Sequence, residues 1–376
     1  MRSMDRREFL AASMGAALAR KADAAGPASP GEWRNRQAGM AYRRLGRTGF
    51  HISEMVMGGN TISPTNYEHV LMALDQGLNY LDTAPAYGRG QSEMGYAKVL
   101  AGRKRDSFFL NTKISIWDDN RNKLYADIFS SLDATEQKKL KAKAAEEIER
   151  RKALDPDYLG SYFASQQAEL EAAALANVMA ARYGRQIDRD KNYKQIIFQS
   201  VEESFRRLGT DHTDLLMCPH GACTPYELLN HPEIFEAFEK LKQQGKVRFL
   251  GVSAHNDPGG ILDAAVKAKV YSAAMVAYSI VNRRFVEPAL ERARRADLGV
   301  IAMKVARPVF PGRADGKPAS PERVRLIEEA VPGPLKTPQK AYLWALRNSN
   351  LSGVISELIN ANMVRDNLPL AAEKKA

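Results

Sequence analysis

Four side chains at the ends of short apolar runs have the types needed to move a proton to or from a carbonyl oxygen. They are Asp82 and Tyr87 in Leu81-Asp82-Thr83-Ala84-Pro85-Ala86-Tyr87-Gly88, Lys113 in Asn111-Thr112-Lys113, and His220 in Met217-Cys218-Pro219-His220. A phenol titrates near about 10 in water and is a poor acid at neutral pH. A neighbouring ammonium lowers that value, and a carboxylate holds the ammonium in place. An imidazole orients the carbonyl or stabilises the alkoxide that develops on it. The set predicts interconversion of a carbonyl and an alcohol with Tyr87 as proton carrier, provided the fold brings the four together.

The elements that must do this alternate. β-like runs at 52–57, 80–82, 108–113, 215–218, 248–253, 274–278, 299–302 and 354–356 are separated by amphipathic stretches at 67–76, 92–100, 196–208, 234–244, 261–268, 286–296, 338–347 and 363–372. Such alternation builds a parallel sheet with right-handed crossovers, and this many repeats favour an α/β (β/α)8 TIM barrel, with an open doubly wound sheet as the alternative. No G-x-G-x-x-G follows the first run; Gly58-Gly59 reads as a tight turn. A barrel sets its chemistry at the C-terminal ends of its strands, where the four residues fall.

One stretch interrupts the repeat. A helical insertion over about 115–192 follows the third strand. Asp133 and Glu136 have capping-box spacing and open a charged helix through 154, which Asp155-Pro156-Asp157 ends. A second helix runs over 165–183, with Gly184 as its C′ residue. Its position predicts a lid over the barrel mouth, against the plainer reading of a solvated hairpin.

The chain has 376 residues, 44% hydrophobic and 26% charged, a globular composition that excludes fibres and disordered chains. The net charge of +11 is spread along the chain without basic blocks, so no nucleic-acid partner is expected. Two cysteines, Cys218 and Cys223, cannot form a disulfide framework. With His220 they have a spacing that suits a metal, but the catalytic use of His220 is preferred and no metal is expected. Near the start, Arg6-Arg7 precedes a short apolar run and the small-x-small pattern Ala22-Asp23-Ala24. That order resembles a twin-arginine export signal over 1–24, which implies the twin-arginine machinery as a partner and a periplasmic destination. The run is too short for a stable membrane anchor. Residues 25–39 read as a linker, and 40–376 as the barrel domain.

Several stretches closely resemble the aldo-keto reductase superfamily, barrel enzymes that reduce carbonyls with hydride from NADPH or NADH. They are Tyr42-Arg43-Arg44-Leu45-Gly46-Arg47-Thr48-Gly49, the motif from Leu81 to Glu93, Arg207-Leu208-Gly209-Thr210-Asp211, and Gly245-Lys246-Val247-Arg248-Phe249-Leu250-Gly251-Val252-Ser253. The resemblance covers about 41–370 and implies that Asp82, Tyr87, Lys113 and His220 are the catalytic tetrad, Tyr87 being the general acid. It implies NADP or NAD as cofactor and a small carbonyl or alcohol substrate. The family's Ser-Asn after the fifth strand is here Ser253-Ala254, and the usual Gln of the sixth is Met275, with Tyr278 taken as the stacking aromatic. In the loop after the seventh strand Lys304, Arg307 and Arg313 are candidates for the cofactor phosphates. The adenosine-binding positions read Ile359-Asn360 and Met363, leaving Asn360, Arg365 and Asn367 as polar candidates. These departures also fit a second reading, an exported non-catalytic binding protein on a degenerate barrel. His255, just past the fifth strand, falls near the expected site.

Overall fold

The structure, a computed structural model, describes residues 31–115, 122–311 and 318–372. The export signal over 1–24 and Arg313 lie outside these residues. Three short strands come first: β1 (Glu32–Trp33), β2 (Tyr42–Arg44) and β3 (Phe50–Ser53), arranged β1-β3-β2. The barrel strands follow in chain order: β4 (Met55–Met57), β5 (Tyr80–Asp82), β6 (Phe109–Lys113), β7 (Thr213–His220), β8 (Val247–Ala254), β9 (Ala273–Ala277), β10 (Gly299–Met303) and β11 (Gly353–Ser356). All eight are parallel, and β11 pairs with β4 to close the ring. This is the expected (β/α)8 barrel and excludes the open sheet.

Side chains alternate between the two faces of a strand. Val56, Tyr80, Phe109, Leu215, Met217, Met275 and Ile301 therefore fill the barrel, while Leu216, Val252, Val276 and Ala302 pack under the helices. Leu45, Phe50 and Ile52 rise into the barrel from the β2–β3 hairpin and plug its lower end, with Phe50 stacked on Phe109 at 4.2 Å. The predicted run 52–57 thus divides: Ile52 belongs to the plug, and only 55–57 joins the barrel. The expected linker is also partly structured. Glu32 and Trp33 pair with Phe50 and His51, and Arg34 is drawn in by Asp214 at 3.2 Å.

Most predicted helices form within a few residues of the expected limits, Ile196–Leu208 among them. In the insertion, the Asp133 carboxylate accepts from the Glu136 amide at 2.9 Å and starts helix Ala134–Arg150. That helix stops at Arg150, before 154, and Lys152 is left-handed with φ 53°. Asp155 instead caps the next helix, Pro156–Leu159, accepting from the Asp157 amide. Gly184 is not a left-handed stop either: with φ −58° it carries helix Gln166–Tyr183 on into a tighter turn.

These helices share a core of their own that includes Leu140, Ile148, Leu170 and Met179. They are fastened to the loops above β7 and β8. Tyr158 Oη donates to Asp257 Oδ1 at 2.7 Å and accepts from the Gly259 amide at 2.9 Å. Gln166 Nε2 donates to Asn256 Oδ1 at 3.0 Å, and Asn177 Nδ2 to Thr224 Oγ1 at 2.5 Å. Among the described residues no helix is long and apolar enough to cross a membrane.

Candidate active site

Asp82 and Lys113 end adjacent strands, and the pleat turns both into the barrel. Lys113 Nζ lies 2.5 Å from Asp82 Oδ1 and donates to the Thr83 carbonyl at 2.9 Å, while Asn111 Nδ2 donates to the same carboxylate oxygen at 2.5 Å. Burial raises the Asp82 carboxyl above its ordinary value, with Lys113 and Asn111 opposing. Burial likewise depresses the Lys113 ammonium, and Asp82 opposes that shift. Two charges that are costly apart are kept as a pair.

Tyr87 stands on a turn, Tyr87–Gly90, in which Gly88, Arg89 and Gly90 all take positive φ. Gly90 admits no side chain: an added Cβ would meet Arg207 Cδ at 2.8 Å. Arg207 crosses there because its Nε donates to Glu93 Oε2 at 2.6 Å, and Glu93 Oε1 accepts from Thr112 Oγ1 at 2.8 Å. The Leu81-to-Glu93 and Arg207 motifs are thus two halves of one buried clamp beside the third strand. The turn sets the Tyr87 ring 4.6 Å from Lys113 Nζ and edge-on to the His220 ring at 5.9 Å.

The phenol departs from expectation. Burial, then the charges of Asp82 and Glu357, hold the Tyr87 hydroxyl well above the ordinary tyrosine value. Burial, with Lys113 and Lys304, pushes the His220 ring down to about 3. His220 is therefore neutral at pH 7. Ser115 Oγ lies 2.8 Å from its Nδ1, and a hydroxyl donating there leaves the ring proton on Nε2.

The other predicted residues divide. Ser253 is buried at the end of β8, paired in register with His220, on the face opposite Val252 and Ala254. Lys304, left-handed with φ 59°, and Arg307 reach the mouth closely enough to act on His255 and Glu357. Tyr278 does not face the mouth. Strand alternation turns it to the helical layer, where it stacks on Trp344 at 5.3 Å, donates to Glu287 Oε1 and accepts from Asn348 Nδ2, both at 2.9 Å. Asn360 spends its carboxamide oxygen on capping helix Ala361–Asn367 through the Met363 amide at 3.0 Å. On that helix Arg365 is exposed and pairs with Asn362 at 2.5 Å, and Asn367 is buried. The cysteines are free and buried, and no cluster of metal-ligating residues occurs among the described residues.

The insertion reaches the mouth. Phe163 packs edge-on against His255 at 5.3 Å, with Tyr162 also against that ring at 6.2 Å, so the hairpin is more than a solvated appendage. Three residues of the site escaped the sequence reading: Ser115, Tyr96 and Glu357. Ser115 sits two positions past Lys113 and so shares its face. Glu357 is the first residue past β11, and an acidic residue at the C-terminal end of a barrel strand is the signal that was there to use.

The sequence profile described as "Aldo/keto reductase family" matches residues 54–374. The chain is 23% identical over 360 residues to the "Uncharacterized oxidoreductase YqkF" of Bacillus subtilis, covering 89% of this chain and 92% of that protein. It is 33% identical over 135 residues to that organism's "Aldo-keto reductase YhdN", covering 33% of this chain and 37% of the other. The holo form of aldo-keto reductase AKR11C1 from Bacillus halodurans superposes with a TM-score of 0.59 at 22% identity, over 90% of this chain and 92% of that one. An aldo-keto reductase from Klebsiella pneumoniae in complex with NADPH gives a TM-score of 0.55 at 18% identity, over 88% and 89%.

Proposed function

The chain belongs to the aldo/keto reductase family, and from that premise we propose that it is an oxidoreductase interconverting a small carbonyl compound and its alcohol with NADP or NAD. One observation carries the reading: the Asp82–Lys113 pair, the Tyr87 hydroxyl-bearing ring and a neutral His220 stand on one rim of the barrel. The mouth suits a nicotinamide dinucleotide. Lys304 and Arg307 bring positive charge for its phosphates, Ser253 offers a buried hydroxyl, and Asp82 Oδ2 is buried with no hydrogen-bond partner among the described residues.

Bound there, a nicotinamide supplies or takes up the hydride at the carbonyl carbon. Tyr87, kept protonated by its buried setting, gives its hydroxyl proton to the substrate oxygen. Lys113 offsets the phenolate left behind, and Asp82 with the Thr83 carbonyl fixes Lys113. His220 donates from Nε2 to the same substrate oxygen.

Replacing Tyr87 by Phe tests the assignment and separates a catalyst from a binder. Turnover is expected to fall by about 10²–10⁴-fold while the dinucleotide dissociation constant, read by fluorescence titration, stays put. Unchanged turnover would remove Tyr87 from the chemistry. Mass spectrometry of nucleotide released from protein purified from its native host identifies the cofactor. The leader over 1–24 is proposed to send the folded chain through the twin-arginine route to the periplasm. Changing Arg6 and Arg7 to Lys in a reporter fusion should abolish export, and export that persists argues against that route.

A further inference from the structure

Three buried polar atoms around the ends of β4, β5 and β11 have no hydrogen-bond partner among the described residues: Asp82 Oδ2, Tyr96 Oη and Glu357 Oε2. They come from separate elements, the end of β5, helix Gln91–Ala101 and the residue after β11. Two glycines bring them together. A Cβ at Gly58 would lie 3.2 Å from Glu357 Cα, and a Cβ at Gly59 would lie 3.0 Å from Tyr96 Cε2 and 2.0 Å from the Asp82 carbonyl oxygen. That dipeptide, which carries no side chain, lies against the Glu357 backbone at Gly58 and against the Asp82 carbonyl and the Tyr96 ring at Gly59. The backbone that aims Glu357 is strained, since the next residue, Leu358, has φ 44°.

Unmet buried hydrogen-bonding capacity is costly and marks a place where something polar binds. The chemistry of the three atoms narrows what that is. Two carboxylate oxygens repel phosphate and carboxylate groups. Lys113, Lys304 and Arg307, all close enough to act on Glu357, oppose a cation. What remains is a neutral group rich in hydroxyls, which donates to the carboxylates and exchanges hydrogen bonds with the phenol.

We propose that Glu357 and Tyr96, beside Asp82, form a subsite for a polyhydroxylated group, belonging either to a sugar-like carbonyl substrate or to the ribose of the dinucleotide. The inference rests on the mouth being where substrate and dinucleotide meet. Consistent with a site awaiting its donors, burial and then Asp82 hold the Glu357 carboxyl above the usual range, and burial, Asp82 and Glu357 raise the Tyr96 phenol.

The test compares the wild type with Glu357→Gln and Tyr96→Phe, each assayed with D-glyceraldehyde and with propanal, alongside titration of the dinucleotide. If the hydroxyls are the substrate's, the ratio of kcat/KM for glyceraldehyde over propanal falls about tenfold in each variant, most of it in KM. If they are the ribose's, that ratio holds and the dinucleotide dissociation constant rises about tenfold instead. Variants that change neither quantity overturn the proposal. Should the wild type turn over neither aldehyde and bind no dinucleotide, the functional reading falls. The subsite is then judged on melting alone, standing if xylitol raises the wild-type midpoint but not that of Glu357→Gln, and failing if xylitol acts on both alike or on neither.

Discussion

The two ends of the barrel treat a buried carboxylate in opposite ways. At the lower end Asp214, about as inaccessible as Asp82, receives Arg105 at 2.8 Å, Arg248 at 2.8 Å and Arg34 at 3.2 Å, with the Leu110 amide at 3.0 Å. Burial pushes its carboxyl up, but the arginines and the amide outweigh it and leave the group below its ordinary value. At the mouth, Asp82 has one lysine and one asparagine on a single oxygen, the Tyr87 hydroxyl nearby, and an Oδ2 with no hydrogen-bond partner among the described residues. Glu357 is unmatched as well, and both carboxyls are shifted upward. The difference separates a network that closes upon itself, and so stabilises, from one that is complete only with a ligand.

The largest effect expected from this contrast is on stability. Asp214→Asn takes from Arg105 its carboxylate and leaves Arg34 and Arg248 sharing Glu32, and should cost about 3–5 kcal/mol in denaturant unfolding, with turnover per folded molecule kept. Loss of turnover at full stability would erase the distinction. Asp82→Asn should act the other way, lowering kcat about 10²–10³-fold. Acid sharpens the comparison. Because Asp214 is depressed in the folded state, its stabilising contribution is present above the unfolded carboxylate value of about 3.9 and fades as pH falls through the folded one. Acid unfolding of Asp214→Asn should therefore be less pH-dependent than that of the wild type. Glu357 has the reverse sign: its raised carboxyl favours the folded state below about 4.3 and costs stability as pH rises. Glu357→Gln should accordingly raise the unfolding midpoint at pH 7, and the gain should vanish in acid. A further effect is local. Tyr158→Phe removes the two bonds its hydroxyl makes above β8, leaving Gln166 on Asn256 and Arg151 on Asp257, costs about 1–3 kcal/mol, and should speed amide exchange in helices Ala134–Arg150 and Gln166–Tyr183.

Much of this was legible in the chain. Strand–helix alternation pointed to the barrel, and the side-chain types at the ends of β5, β6 and β7 pointed to Asp82, Lys113 and His220 as neighbours, because a parallel barrel delivers the ends of its strands to one rim. Departures from the expected geometry have a common cause in side-chain direction and local competition. Tyr278, one residue past β9, continues that strand's alternation onto the outer face. Asn360 starts the last α-helix, where the Met363 amide takes its carboxamide oxygen. Gly184 had the residue type of a helix stop without the turn, since the chain continued in helical register. Glu357 and Tyr96 matter only through their meeting across Gly58-Gly59, a contact between distant parts of the sequence.

That meeting bears on how the protein is made. The insertion assembles from residues near one another in sequence, and its helices can pair as soon as both exist. The mouth cannot: β4 and β11 lie at opposite ends of the barrel domain, and Glu357 reaches Gly58 only after the last strand has docked. A chain short of β11 can thus pair the helices of the insertion but cannot close the ring, so the mouth is the part of the barrel that assembles last.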